Sequence, residues 1–178
     1  MIKVIAFDLV GVLLGENDNY LTINEDKIER LFGKNKNDLE VIKEAVDLTK
    51  LNEEEVIKLI NNIINKIYDI KVDINIIKSK YKDVKFFISS NHVSYIKSFL
   101  IKKFGNIFDA IIISSEINAY KPDKHFFYTL IKKANVKPEE ILFLDDRKEN
   151  VEAARKCGML SEQVIGYNVS EIVDKYLK

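Results

Sequence analysis

Hydrophobic residues cluster in five short runs that are rich in isoleucine, valine and phenylalanine. The runs are IKVIAFD, KFFIS, AIIIS, EILFLD and QVIGY. Continuous apolar runs of this length, without regular polar alternation, are typical of parallel strands that are buried on both faces of a sheet. We therefore predict that these runs form the strands of one parallel sheet.

Amphipathic stretches of helix length separate the last four runs. They are VSYIKSFLIKKF, which ends at Gly105, DKHFFYTLIKKA, which ends at Asn135, and ENVEAARKC, which ends at Gly158. Glycine and asparagine readily adopt the left-handed backbone that closes a helix. Strands that alternate with helices predict an α/β fold, here a three-layer doubly wound parallel sheet with helices on both faces.

The first and second runs lie about 70 residues apart, far more than a crossover connection requires. The intervening segment contains three amphipathic stretches that we predict to be helices: EDKIERLF, which ends at Gly33, NDLEVIKEAVDLTK and NEEEVIKLINNIINKIY. In the last of these, Asn52 and Glu55 have the spacing of an N-terminal capping box. We predict that residues 16–80 form a small helical cap, inserted between residues 1–15 and 81–178 of a core domain and lying over the C-terminal edge of the sheet.

Charge and composition exclude several classes of protein. The 28 basic residues balance 28 acidic ones, which predicts neither a nucleic-acid partner nor attraction to an anionic membrane surface. Although 47% of the residues are hydrophobic, polar residues interrupt every stretch that could span a membrane. Cys157 is the single cysteine, so no internal disulfide forms, and no signal-peptide pattern precedes the first run. We expect a cytoplasmic protein, and the sequence leaves its oligomeric state open.

Polar side chains follow four of the predicted strands at the point where each strand ends. In chain order they are Asp8, then Ser89, Ser90 and Asn91, then Lys121 beyond the third run, and finally Asp145 and Asp146. Ligands of open α/β sheets bind beyond the carboxyl ends of the strands. The pattern therefore places a candidate site at this edge of the sheet.

Each of these residues also has an ordinary structural explanation. Asp8, Ser90 and Asn91 could cap helices or form turns, and Lys121 could be a solvated loop residue. The adjacent acids that follow the fourth run are harder to explain, because two carboxylates repel each other unless a cation or hydrogen-bond donors hold them. The joint occurrence at one edge favours a functional site over independent turns.

Four segments carry a family resemblance, namely FDLVGVLL, ISSN, KPD and LFLDDRKENVEAARKCGM. In this order and with these gaps they resemble the four motifs of the haloacid dehalogenase (HAD) superfamily of hydrolases, over essentially the whole chain. The DDxxxNxxxAxxxGM form of the last motif is most similar to the branch that contains the phosphatase domains of soluble epoxide hydrolases.

The resemblance implies a phosphatase that acts on a small phosphorylated metabolite. Asp8 would be the nucleophile that attacks phosphorus and forms an aspartyl-phosphate, which water then hydrolyses. Lys121 would neutralise charge on the nucleophile and on the phosphate. Ser90 and Asn91 would donate hydrogen bonds to the phosphoryl oxygens.

The same resemblance implies a Mg²⁺ ion, because carboxylate and phosphate would otherwise repel each other. Its ligands would be the Asp8 carboxylate, the backbone carbonyl of Val10 and the carboxylate of Asp146, with Asp145 assisting. Asn150 would orient the loop that holds the metal.

Val10 is where the chain departs from the family pattern. Most phosphatases of the family have an aspartate there, which protonates the leaving group and then activates water. Loss of a general acid and base costs roughly 10² to 10⁴ in rate, and acyl or aryl phosphates should be affected least because they need little protonation. Two alternatives stay open: a weak or inactive protein that binds a phosphorylated ligand or a protein partner, and a metal-free dehalogenase-type hydrolase, which the acidic pair disfavours.

Three further side chains attract attention because of their chemistry. We predict that His92 serves packing or capping at the start of a helix and that His125 lies on a helix surface. Cys157 is predicted to be a small buried hydrophobic residue.

Overall fold

The computed structural model describes residues 1–17 and 19–178. Within these residues the strands are β1 (Val4–Phe7), β2 (Leu14–Glu16), β3 (Tyr68–Ile70), β4 (Lys85–Ser90), β5 (Ala110–Ile113), β6 (Ile141–Asp145) and β7 (Leu160–Gln163). The helices are α1 (Ile23–Glu29), α2 (Asp38–Thr49), α3 (Glu53–Ile67), α4 (Ile74–Lys80), α5 (Ile96–Phe104), α6 (Ser114–Ile117), α7 (Lys124–Ala134), α8 (Lys148–Lys156) and α9 (Val169–Leu177).

The main sheet of the described chain is parallel, with the strand order β5-β4-β1-β6-β7. The chain leaves the central strand β1 toward β4 and β5, and then crosses back to β6 and β7 on the other side. This reversal next to β1 is the point at which open α/β sheets bind ligands. The predicted doubly wound α/β architecture is confirmed.

Both faces of the sheet are covered, and this explains the continuous apolar runs. In β1, Ile5 and Phe7 belong to a core that includes residues of α3, α5 and α9, whereas Val4 and Ala6 face a second core that includes residues of α7 and α8. All four side chains are fully buried. A strand that is buried on both faces has no position at which a polar residue is favoured.

The prediction of a strand at QVIGY is wrong, because the fifth strand of the sheet is β7, which lies earlier in the chain. This edge strand follows a polar pattern: Ser161 is buried and donates a hydrogen bond to the Val151 carbonyl over 2.8 Å. In the predicted run, Val164 is buried, but Ile165 is 71% exposed. Strand β7 has only one buried position, so a continuous apolar run does not identify it.

Helices α1, α2 and α3 pack against one another in the segment predicted as a cap. Each begins with a capping box, and the one formed by Asn52 and Glu55 is the one predicted from the sequence. The stretch EDKIERLF is helical only as far as Glu29, so the prediction of a helix up to Gly33 is wrong. The backbone from Arg30 to Gly33 turns instead, and Gly33 has a φ of +68°.

A short antiparallel ribbon, which the sequence analysis did not predict, joins these helices to the sheet. In it β2 pairs with β3, so that Leu14 lies opposite Ile70 and Glu16 opposite Tyr68. Helix α4 follows the ribbon and contacts the core, since Lys78 donates to the Val84 carbonyl over 2.7 Å and Lys80 pairs with Asp174. The division into core and cap remains a prediction, and these contacts favour a second boundary before α4.

In the part of the chain that the structure describes, no helix combines the length and the apolar character needed to cross a membrane.

Candidate active site

Three neighbouring parallel strands deliver polar side chains to one edge of the sheet. Asp8 follows β1, Ser90 ends β4 and Asp145 ends β6, and Lys121 arrives from the loop between α6 and α7. Asp8, Ser90 and Lys121 line a cavity of about 370 Å³ at this edge. The described residues that line it are Asp8, Val10, Phe32, Gly33, Lys34, Ser90, Asn91, Lys121, Asp146, Arg147 and Asn150.

Lys121 lies at the centre of the site and is only 4% exposed. Its Nζ donates to Asp8 Oδ1 over 2.7 Å, to Asp145 Oδ2 over 2.6 Å and to the backbone carbonyl of Ser89 over 2.8 Å. An ammonium group has three hydrogens, so these acceptors use all of them. The lysine therefore links the candidate nucleophile to the acidic pair at the end of β6.

The electrostatics of this buried group are dominated by desolvation. Burial raises the pKa of Asp8 to about 7, a rise that Lys121 opposes and that the neighbouring Asp145 increases. Burial also works against the charged form of Lys121, but the two carboxylates outweigh it and raise the pKa of the lysine. Lys121 therefore carries the positive charge of the site, and the Asp8 carboxylate is largely shielded from water.

The acidic pair divides into one satisfied and one available carboxylate. Asp145 Oδ1 accepts hydrogen bonds from Asn150 Nδ2 and from the Arg147 backbone N–H, both over 2.9 Å, while Oδ2 is held by Lys121. Asp146 is half-buried and lines the cavity. Burial, followed by the charge of Asp145, raises the pKa of Asp146.

The donor set fits a hard divalent cation. One carboxylate oxygen from each of Asp8, Asp145 and Asp146 lies within 4.8 Å of the others. These three acids outnumber the single buried lysine, which leaves an excess of negative charge. Because Asp145 is occupied by hydrogen bonds, Asp8 and Asp146 are the carboxylates left as ligands. The buried Oδ1 of Asn150 has no donor among the described residues and could accept a hydrogen bond from a metal-bound water. The roles predicted for these residues and for the Val10 carbonyl remain predictions, which this arrangement favours.

Gly11 allows the turn after Asp8 to pass close to the acidic pair. Its φ is +88°, and a Cβ at this position would lie 2.6 Å from Asp146 Oδ2. A side chain would therefore strain the backbone and displace a carboxylate of the proposed metal site.

Replacing Gly11 by alanine should lower both stability and the apparent affinity for Mg²⁺. The positive φ should cost about 1–2 kcal/mol, and the new methyl group should push the Asp146 carboxylate away. We expect the magnesium concentration for half-maximal activity to rise about tenfold, as measured by titrating phosphatase activity with Mg²⁺, together with a lower melting temperature.

Gly105→Ala is the matched control, because Gly105 has a φ of +63° and a Cβ added to it would meet no atom within 4 Å. It shares the backbone strain without the contact to Asp146. An equal magnesium dependence in the two variants would contradict a metal-binding role of Asp146.

Ser90 and Asn91, the two predicted phosphate-binding residues, differ in which hydrogen-bonding groups they have free for a ligand. The Ser90 hydroxyl lines the cavity and has no hydrogen-bond partner among the described residues. Asn91 is engaged: its Nδ2 donates to the Lys121 carbonyl over 2.8 Å, and its Oδ1 accepts from the Lys121 N–H over 2.9 Å. One Asn91 amide hydrogen remains for a ligand, so this residue also positions the loop that carries Lys121.

Sequence reasoning missed Phe32, Gly33, Lys34 and Arg147, which also line the cavity. The first three come from the turn after α1, and no sequence pattern indicates that this turn reaches the site. Gly33 was the one visible signal, because glycine marks a special backbone position.

His92 is 3% exposed and connects this turn to the sheet. Its Nδ1 donates to the Val93 carbonyl over 3.1 Å, so its Nε2 accepts from the Tyr68 hydroxyl at 3.0 Å. The Phe32 ring lies 5.1 Å from the imidazole, and burial lowers the pKa of His92 to about 4. His92 thus packs as a neutral side chain.

His125 and Cys157 lie away from the cavity. His125 is exposed and pairs with Asp123, the N-cap of α7, in agreement with the predicted surface position. Cys157 is half-buried, so the prediction of a buried residue is only partly correct.

Comparisons with known proteins match most of this chain. A family model described as haloacid dehalogenase-like hydrolase matches residues 5–164. A phosphorylated carbohydrates phosphatase from Thermotoga maritima is 21% identical over 92% of this chain and 84% of its own length. A 55-residue stretch is 38% identical to a drimenol cyclase from Aspergillus calidoustus, covering 31% of this chain and only 10% of that protein.

Solved structures share the fold over nearly the whole chain. A HAD-like family hydrolase from Porphyromonas gingivalis has a TM-score of 0.76 and 23% identity, and the match covers 100% of this chain and 98% of that one. A HAD family enzyme from Bacteroides thetaiotaomicron, crystallised with magnesium and inorganic phosphate, has a TM-score of 0.73 and 16% identity, with 97% and 99% coverage. An L-2-haloacid dehalogenase from Xanthobacter autotrophicus has a TM-score of 0.64 and 19% identity, with 98% and 83% coverage.

Proposed function

Since the chain belongs to the haloacid dehalogenase-like hydrolases, we propose that it is a magnesium-dependent phosphatase acting on a small phosphorylated metabolite. The observation that carries this proposal is the buried Lys121 bridge between Asp8 and Asp145, with the Asp146 carboxylate beside it. This surplus of carboxylates around one lysine favours the binding of a divalent cation. The cation would in turn offset the negative charge of a phosphoryl group. The second acid disfavours a metal-free site, because adjacent carboxylates repel each other without a cation.

The residues of the chain divide the reaction between them. A carboxylate oxygen of Asp8 attacks phosphorus, the bond from phosphorus to the leaving oxygen breaks, and an aspartyl-phosphate results. Water then attacks this phosphorus, which releases inorganic phosphate and restores the carboxylate. Lys121 favours the ionised form of Asp8 and offsets the charge that builds up, while Ser90 binds a phosphoryl oxygen. Bound Mg²⁺, held by Asp8, Asp146 and the Val10 carbonyl, would supply electrostatic neutralisation of the phosphoryl group.

Val10 sets the range of leaving groups in this proposal. It lines the cavity but cannot transfer a proton. With Mg²⁺ we therefore expect clear turnover of acetyl phosphate and slow turnover of glycerol 3-phosphate. Val10→Asp should raise kcat for glycerol 3-phosphate by about 10²-fold, because it supplies a general acid, and should change acetyl phosphate hydrolysis little. The measurement is phosphate release from each substrate.

Three outcomes separate the competing functions. Activity that disappears with a chelator supports the proposal, whereas no turnover of either substrate would favour a weak or inactive ligand-binding protein. Halide release from 2-haloacids without metal would favour the dehalogenase alternative. Val10→Ile is the control for the substitution, since isoleucine is apolar and cannot transfer a proton.

The proposal also includes a branch of the family, a role for the helical segment and a cellular location. We place the chain nearest to the branch with the soluble epoxide hydrolase phosphatase domains, on the form of the motif that begins at Asp145. The cap role of the helical segment and the cytoplasmic location remain predictions, and the oligomeric state stays open.

A further inference from the structure

The cavity is lined from two sides by residues of different origin. Asp8, Ser90 and Asp146 come from the ends of sheet strands, whereas the turn of residues 32–34, between α1 and α2, lines it from the helical segment. Attacking and leaving oxygens lie roughly in line in phosphoryl transfer. A substrate phosphoryl group on Asp8 therefore directs its leaving group away from β1, and the turn of residues 32–34 is the helical segment's contribution to the same cavity.

This turn is held against the sheet by direct contacts. A Cβ on Gly33 would lie 3.2 Å from the Asn91 carbonyl, so the backbone of the turn passes immediately beside Asn91. The Phe32 ring contacts His92. Within the loop itself, the Lys34 carbonyl accepts a hydrogen bond from the Lys36 N–H over 2.8 Å. The backbone of Lys34 is thus positioned next to the predicted phosphate-binding segment.

Lys34 is the cavity-lining cation that forms no ion pair within the part of the chain that the structure describes. All three hydrogens of Lys121 are used by protein acceptors, and Arg147 is paired with Glu149. Lys34 is exposed, lines the cavity and forms no ion pair within residues 1–17 and 19–178. An ammonium group on the leaving-group side attracts a negative charge there.

We propose that Lys34 is a specificity-determining residue that binds a second anionic group of the substrate, a carboxylate or a further phosphoryl group on the leaving group. This inference rests on the proposed phosphatase function and names the substrate class for it. Preferred substrates are then phosphate esters with an additional negative charge a few bonds from the transferred phosphoryl group.

Competitive inhibition tests this specificity without requiring fast turnover of the inhibitors. The inhibitors are 3-phosphoglycerate and glycerol 3-phosphate, which differ by a carboxylate in place of a hydroxymethyl group, and the reaction followed is magnesium-dependent loss of acetyl phosphate. For the unmodified protein we expect the Ki of 3-phosphoglycerate to be about tenfold lower, as a charged hydrogen bond provides. Lys34→Met should remove this difference by raising that Ki alone, and Lys34→Arg should largely retain it.

Lys43→Met is the matched control, because Lys43 is an exposed lysine of α2 that does not line the cavity, and it should keep the tenfold difference. Equal Ki values in the unmodified protein would overturn the inference, as would an equal rise of both Ki values in Lys34→Met. In either case acetyl phosphate turnover leaves the proposed function standing. No turnover of acetyl phosphate would overturn the proposed function and this inference with it.

Discussion

Replacing Asp8 by asparagine should abolish phosphatase activity, with kcat for acetyl phosphate falling about 10⁴-fold or more, as loss of a covalent nucleophile does in other enzymes. Asparagine has the same shape but an amide in place of the attacking carboxylate. Lys121 would keep its bonds to Asp145 and to the Ser89 carbonyl. The measurement is the steady-state rate of acetyl phosphate loss with saturating Mg²⁺.

The same substitution should not weaken the fold. Burial raises the pKa of Asp8 from 3.8 to about 7, so the folded protein binds this proton more tightly than the unfolded chain does. Ionised Asp8 therefore lowers stability as the pH rises from about 4 to 7. At pH 8, Asp8→Asn should leave the melting temperature unchanged or raise it.

Asp83→Asn is the control, because Asp83 is exposed and does not line the cavity. It should retain full activity and stability. Residual activity of Asp8→Asn above about 1% of the unmodified rate would mean that Asp8 is not the nucleophile and that the mechanism proposed above is wrong.

Among the substitutions considered, replacement of Lys121 by methionine should lower the free energy of unfolding most. It would leave the buried carboxylates of Asp8 and Asp145 without their shared cation. Removal of one partner from a buried ion pair costs roughly 3–5 kcal/mol, which corresponds to a fall of about 10 °C or more in melting temperature for a chain of this size. Activity should fall as well, because the charge that offsets the phosphoryl group is lost.

The pH dependence of this variant distinguishes electrostatics from packing. Without the lysine, Asp8 should take up a proton more readily than in the unfolded chain, and folding then becomes more favourable as the pH falls. The difference in melting temperature between the variant and the unmodified protein should therefore be larger at pH 8 than at pH 5. A difference that is independent of pH would assign the loss to packing around the Lys121 stem.

Lys124→Met provides the control for a methionine in place of a lysine in the same region. Lys124 is the exposed first residue of α7 and forms no ion pair among the described residues. This variant should retain the melting temperature and the activity at both pH values.

The elements that were predicted well are strands whose successive residues are similarly buried and a helix that begins with a local capping motif. β1 and β6 are buried at every position and β4 and β5 at all but one, so each carries a continuous apolar run. The capping box of α3 is a contact between residues three positions apart, and the chain needs nothing else to form it. By contrast, β7 is an edge strand with polar residues, and the β2–β3 ribbon is too short to show a period.

The candidate site shows the same division between local and long-range information. By itself, the sequence determined that Asp8, Ser90 and Asp145 meet at one edge, because parallel strands all present their carboxyl ends on the same side of a sheet. Only the tertiary structure decided that Lys121 donates all its ammonium hydrogens to protein acceptors, that Asn91 holds the backbone of Lys121, and that Lys34 reaches the cavity. These contacts join residues far apart in the chain, 113 positions in the case of Asp8 and Lys121. Their geometry depends on how the helical segment and the loops pack against the sheet, and no local pattern of residues encodes that packing.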